Sequence, residues 1–168
     1  MRKQLKTNEK GFTLIEVVVT LILVGILAVI GSIGLVNMVQ GYVTAKANAA
    51  AVQKGQIGML QITKILNLAN RKSITGATPA AITFVLPSSA ATHTLLFDSN
   101  SGIVTLDGDT VIDRVNQFKL GYYDSHNASE QSTWSSSSKM IEVTMLLDLG
   151  QGELSPEFKT RIVPRNDY

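Results

Sequence analysis

The chain divides by its pattern of apolar and polar positions. Val17 to Val36 is almost wholly apolar, and no charged residue occurs between Glu16 and Lys46. Twenty residues of α-helix span roughly 30 Å, the thickness of a bilayer core. From Asn37 to about Asn70 there is no proline, and Met59, Ile62, Ile65/Leu66 and Ala69 recur at three- to four-residue spacing. That spacing predicts an amphipathic helix with one apolar stripe. Lys46, Lys54, Gln61 and Lys64 lie largely off the stripe. The whole stretch from Thr13 to about Asn70 therefore reads as one long helix, ended by Ser73, Gly76 and Pro79.

Beyond Pro79 the period changes from helical to alternating. Strands are predicted at Ala81–Leu86, Thr94–Phe97, Gly102–Leu106, Val111–Ile112, Phe118–Tyr123, Ile141–Leu149 and Phe158–Val163. Asp107-Gly108 between two such runs is a hairpin signal. Ile141, Val143 and Met145 share one face, which is expected to pack on the Met59–Ala69 stripe. The fold class is α+β, one long helix laid on an antiparallel sheet. The expected division is 1–11 leader, 12–36 membrane half of the helix, 37–72 amphipathic half, and 73–168 β-rich exported region.

Charge sharpens the N-terminal reading. Residues 1–11 hold Arg2, Lys3, Lys6 and Lys10 against Glu9, a net +3 in a chain of net +2, so the remainder carries about −1. The basic character belongs to the leader and gives no support to nucleic-acid binding. Positive charge ahead of an apolar run predicts a cytoplasmic N-terminus with the rest exported. An ordinary secretory signal would have a shorter apolar core with a small-residue cleavage site behind it. Here the nearest candidate site, AKANA at Ala45 to Ala49, lies too far downstream. A plain signal anchor accounts for the length but gives no reason for Glu16. A charge that near the hydrocarbon costs roughly 2.5–3.5 kcal/mol on insertion scales. Cleavage after Gly11 would create an α-ammonium on Phe12, mostly cationic at neutral pH, four residues before the carboxylate.

The run Gly11-Phe12-Thr13-Leu14-Ile15-Glu16, behind a basic leader and ahead of an apolar stretch, resembles the class III signal of type IV prepilins and type II secretion pseudopilins. The resemblance implies a pilin-like fold. It implies cleavage after Gly11 by a prepilin peptidase, methylation of Phe12 by the same enzyme, and pairing of Glu16 with the amine of a neighbouring subunit. The implied partners are other pilin or pseudopilin subunits, that peptidase/methyltransferase, an inner-membrane assembly platform and membrane lipid, with no nucleic acid bound directly. The implied location is the inner membrane, single-pass, with the C-terminal domain periplasmic. Ile33 stands where many major pilins have proline, and the chain has no cysteine for the disulfide many of them carry. The stretch Arg114–Asp124, Trp134 and Met140–Leu149 looks more loosely like minor pseudopilins of the J type and minor pilins of the W type. The expected function is a minor pseudopilin that initiates or caps a short pseudopilus. The alternatives are a minor subunit of a type IV pilus or DNA-uptake machine, and a signal-anchored binding domain that never assembles.

Other candidate chemistry is sparse. Ser125 to Lys139 reads as a solvated, mobile loop, with Trp134 as the one residue suited to anchor a partner. Asn127-Ala128-Ser129 fits a glycosylation sequon. His93 and His126 are isolated, and Asp98, Asn100 and Gly102 read as a turn because a calcium loop needs a later bidentate glutamate. No G-x-S-x-G and no nucleophile–base pattern occurs, so neither enzymatic activity nor a cofactor is expected.

Overall fold

A computed structural model describes residues 11–148 and 156–165. The chain divides into two compact units, one ending at Lys46 and one beginning at Ala47. The proposed leader, apart from Gly11, lies outside the described residues.

A single helix, α1 (Leu14–Leu68), runs through 55 residues without interruption. In the first unit its apolar side chains, from Leu14 through Val43, are exposed to the surroundings. It is the one helix among the described residues long and apolar enough to cross a bilayer. Thr20 and Ser32 keep their hydroxyls satisfied in that setting. Each donates to the backbone carbonyl three residues earlier, Val17 and Val29, at 2.8 Å. Added Cβ atoms at Gly25, Gly31 and Gly34 would meet nothing within 4 Å.

In the second unit α1 buries Met59, Ile62 and Leu66 of the expected stripe, and Ala69, just past the helix end, is in the same core. Gly55 and Gly58 extend the same stripe toward the N-terminus. A Cβ on Gly58 would lie 2.8 Å from Ile112 Cδ1 and 3.1 Å from Ile112 Cβ. The helix touches the sheet backbone-to-side-chain there, which only glycine permits. The helix stops at Leu68, slightly before the predicted end, because Asn70 turns the chain. Asn70 N donates to Val85 O at 2.9 Å, and Asn70 Oδ1 accepts from Lys72 N at 3.0 Å. A 3-10 turn follows at Arg71–Ser73.

Seven strands follow: β1 (Ala81–Val85), β2 (Thr92–Asp98), β3 (Ile103–Leu106), β4 (Asp109–Ile112), β5 (Val115–Tyr123), β6 (Met140–Leu147) and β7 (Glu157–Ile162). All neighbours pair antiparallel. They form two sheets rather than the one expected, β1-β2-β3-β4 and β5-β6-β7. The division falls at Asp113-Arg114, where Arg114 adopts a φ of 58° and re-aims the chain so that β5 pairs with β6 instead of β4. Arg114 O then accepts from Asp148 N at 2.8 Å, which holds this corner to the end of β6. The Asp107-Gly108 hairpin is present. Both residues have positive φ (55° and 94°), and Leu106 pairs with Asp109, the geometry of a two-residue turn with a primed twist.

Both sheets contribute to one core with the helix. Ile82, Phe84 and Leu95 come from the first sheet, Leu120, Tyr122 and Ile162 from the second. Ile141, Val143 and Met145 are fully buried in the same cluster as the helix stripe, as their alternation predicted.

Candidate processing and assembly site

The segment from Gly11 to Glu16 is built around a helix start. Thr13 is the N-cap of α1. Its Oγ1 accepts from Glu16 N at 3.3 Å, and its carbonyl accepts from Glu16 N at 3.1 Å and Val17 N at 3.2 Å. Thr13-Leu14-Ile15-Glu16 has the sequence form of a capping box, with threonine at the cap and glutamate three residues on. That signal was present in the sequence and defines why the helix begins here: threonine satisfies a backbone donor that a helix end leaves unpaired. Glu16 thereby sits in the first turn, where the helix dipole stabilises a carboxylate by about 0.3–1 kcal/mol. This offsets only part of the cost of a charge at membrane depth.

Gly11 and Phe12 precede the helix outside any regular element and are exposed, Phe12 to 82%. Nothing lies within 4 Å of a Cβ placed on Gly11. The fold therefore makes no demand on Gly11, and its bond to Phe12 is sterically open. An ammonium on Phe12 would stand beside the positive end of the helix dipole, an unfavourable place for a cation. The carboxylate of Glu16 is the nearest anion in sequence able to compensate it.

Elsewhere among the described residues, polar side chains brace turns and strands. Asp98 Oδ1 accepts from Asn100 N at 2.9 Å and its Oδ2 from Ser101 Oγ at 2.7 Å. The Ser101 hydroxyl and the Asn100 amide hold this carboxyl below the usual range. Gly102 closes the turn at a φ of 66°. No group of three potential metal ligands occurs among the described residues. His93 Nδ1 lies 2.6 Å from Asp107 Oδ2, and Asp107 Oδ1 accepts from Thr94 N at 2.7 Å.

The serine-rich segment is largely exposed, as expected of a solvated loop, but it is tied to the sheet at several points. Tyr122 N and O pair with Gln131 O and N at 3.0 and 2.9 Å, and Lys139 N donates to Tyr123 O at 2.8 Å. Ser138 is buried, its Oγ accepting from Ser135 N at 3.1 Å and donating to Asp124 Oδ1 at 3.4 Å. Trp134 is half-buried against the core and meets Tyr122 edge-to-face at 6.0 Å. Short hydroxyl side chains satisfy one another and the backbone, which composition alone does not reveal.

Sequence reasoning also missed Glu142, which alternation places opposite the core face of β6. It is buried to 5% exposure, with Tyr123 Oη donating at 3.0 Å, Lys159 Nζ at 2.9 Å and Arg161 Nε at 2.7 Å. Arg161 also stacks over the Tyr123 ring at 4.2 Å. Burial pushes the carboxyl up, but the donors from Lys159, Arg161 and Tyr123 outweigh it and hold it below its ordinary 4.5. A carboxyl with a lowered folded value stabilises the fold above its unfolded value, and that contribution is lost as pH falls from about 4.5 through the native value. We expect acid to unfold the native chain more readily below that window, and Glu142→Gln to flatten this dependence while costing about 1–3 kcal/mol at neutral pH. Thermal unfolding of both chains from pH 7 to pH 3 checks it; identical pH slopes would refute it.

Among known families, the model of the prokaryotic N-terminal methylation motif matches residues 6–32. No curated protein and no solved structure matches the chain. The matched segment covers the Gly11–Glu16 site and the first turns of the apolar helix. A helix able to cross a membrane and an exported-type signal fit a single-pass membrane-anchored protein. The motif's proteins are processed structural subunits that interact with other pilin subunits and with prepilin peptidase. The chain thus carries a prokaryotic N-terminal methylation motif over residues 6–32, followed by one long N-terminal helix and an antiparallel α+β domain, an arrangement consistent with a pilin-like fold.

Proposed function

We propose that the chain is a minor pseudopilin of a type II secretion system, a non-catalytic subunit that initiates or caps a short periplasmic pseudopilus. In this reading residues 1–11 are the leader, 12–36 the spanning and assembly half of the helix, 37–72 the amphipathic half and 73–168 the exported region. Prepilin peptidase cuts after Gly11 and methylates Phe12. The observation that carries the proposal is Glu16, a lone carboxylate in the first turn of a helix whose next charged residue is Lys46. Pairing with a neighbour's Phe12 amine removes its cost and sets the axial stagger of adjacent subunits. Ile57, Leu60 and Leu68, exposed large apolar residues on the amphipathic half, supply further surface for subunit contact.

Glu16→Ala is expected to insert normally but to lose most filament incorporation or Phe12 methylation. Crosslinking to co-expressed subunits and N-terminal peptide mass spectrometry read the two effects, and normal incorporation would remove the proposed role. The machine itself is tested in the host. Deletion of the gene should abolish or strongly reduce secretion of exported enzymes while surface pili persist. Lost pili or lost DNA uptake with normal secretion would assign the chain to a type IV pilus or competence filament instead.

A further inference from the structure

The first unit holds a band of α1 that suits neither water nor hydrocarbon. Val17 to Val36 fills the roughly 30 Å of a bilayer core. Beyond it, Asn37 to Tyr42 continues the helix and carries no charge. Met38, Val39 and Tyr42 are exposed there, Tyr42 to 69%, beside the polar Asn37 and Gln40. Large apolar side chains are poorly placed in water, and carboxamides are costly in hydrocarbon. The headgroup layer of a bilayer accepts both.

Length points the same way. Leu14 to Tyr42 rises about 42 Å along the helix, and a bilayer with its headgroups is about 40–45 Å thick. Tyr42 is the first aromatic residue after Phe12, and tyrosine gathers at membrane–water interfaces. Lys46 is the first charge after Glu16 and lies one turn past Tyr42 on the same helix face. Helix geometry tilts its Cα–Cβ bond toward the N-terminus, back to the bilayer. The alkyl stem of a lysine so placed covers apolar surface while its ammonium reaches the phosphates. Lys46 is exposed, and no ion pair among the described residues involves it.

We propose that Tyr42 and Lys46 dock α1 to the lipid phosphate layer of the exported-side leaflet, which extends the span proposed above from Val36 to Tyr42. The inference rests on α1 crossing a membrane and is independent of cleavage at Gly11 and of the machine served. The helix of a second copy is the poorer partner for Lys46. In a parallel copy at the same depth the only carboxylate of α1, Glu16, stands about 45 Å from Lys46 along the helix. Lipid phosphate supplies anions at the level the lysine reaches. Docked there, the helix is held in depth from its exported end, and Glu16 is held with it.

The chain has no cysteine, so a single introduced cysteine takes the only nitroxide label. Leu27→Cys, Asn37→Cys and Ala45→Cys are made separately in the full chain and reconstituted in phosphatidylglycerol vesicles. Dissolved oxygen and a water-soluble nickel chelate then report the depth of each label. The Leu27 label is expected in hydrocarbon, the Asn37 label at headgroup depth and the Ala45 label open to the chelate. With isotope-labelled lysine in the unsubstituted chain, solid-state NMR should detect lysine Nζ contacts with lipid phosphorus, one of which is lost in Lys46→Gln. A Leu27 label outside hydrocarbon would overturn the spanning reading and this proposal with it. A Leu27 label in hydrocarbon with an Asn37 label as open to the chelate as that at Ala45 would overturn the dock alone. Unchanged phosphorus contacts in Lys46→Gln would do the same.

Discussion

Gly11→Leu should yield a folded protein that is never trimmed, so that the isolated chain still begins at Met1 and carries no methylated Phe12. The expectation rests on separating two roles for the position. An added Cβ here has nothing within 4 Å, and the position lies ahead of α1 and outside the core, so the fold is expected to tolerate a side chain. It does place a branched side chain at the bond the peptidase must enter. Retention of the leader also keeps Lys10 next to the apolar run and withholds the ammonium from Phe12. Glu16 then loses the proposed partner, and assembly should fail together with cleavage. Intact mass and N-terminal peptide mass spectrometry of membrane-purified protein decide it. In the unsubstituted chain a Phe12 terminus with one added methyl is expected. Continued cutting of Gly11→Leu at the same bond would defeat the leader assignment, and an unsubstituted chain starting at Met1 would defeat the processing reading altogether.

The second large effect concerns the exported unit. Gly58→Leu should destabilise it by about 3 kcal/mol or more, the upper part of the range for overpacking a filled core. Helix propensity favours the substitution by about 1 kcal/mol, since glycine is the poorer helix former. Packing opposes it more strongly: the new Cβ alone would lie 2.8 Å from Ile112 Cδ1 and 3.1 Å from Ile112 Cβ. Ile112 is buried and sits on β4 paired with Val104, so its Cβ cannot retreat without moving the sheet. Gly55→Ala is the informative comparison. Its Cβ would meet Phe158 Cε2 at 2.5 Å and Leu147 Cδ1 at 2.7 Å, the far ends of side chains, and Phe158 is only partly buried. Rotation of those ends should hold the loss to about 1 kcal/mol. Thermal unfolding should therefore rank Gly58→Leu well below Gly55→Ala. Equal midpoints for Gly58→Leu and the unsubstituted chain would show that the helix does not approach β4 as described.

Several features follow from local sequence because their causes are local. The helix period, the turn at Asp107-Gly108 and the alternation of Ile141, Val143 and Met145 depend on residues within one or two turns or one strand. Each predicted strand has a counterpart in the structure, displaced by a few residues at its ends. Gly11, Phe12 and Glu16 were legible as a candidate site for the same reason: spacing, charge and apolar flank lie within one short segment. The Thr13 cap was equally local and equally readable, and it explains the helix start.

What tertiary structure decided involves partners distant in sequence. The chain divides into two sheets at Asp113-Arg114, where Arg114 takes a positive φ that nothing in the residue type demands. Gly55 and Gly58 read as poor helix formers until Ile112, Leu147 and Phe158 are seen against them. Glu142 reads as the solvent face of a strand until Tyr123, Lys159 and Arg161 from both neighbouring strands close over it. Within the solvated serine-rich loop, the Ser135–Ser138 bonds and the contact of Trp134 with Tyr122 could not be read from composition. The sequence by itself determined the elements and the processing signal, since these rest on neighbours along the chain. The close helix–sheet contact and the buried carboxylate were decided only by folding, because each requires residues distant in sequence to meet.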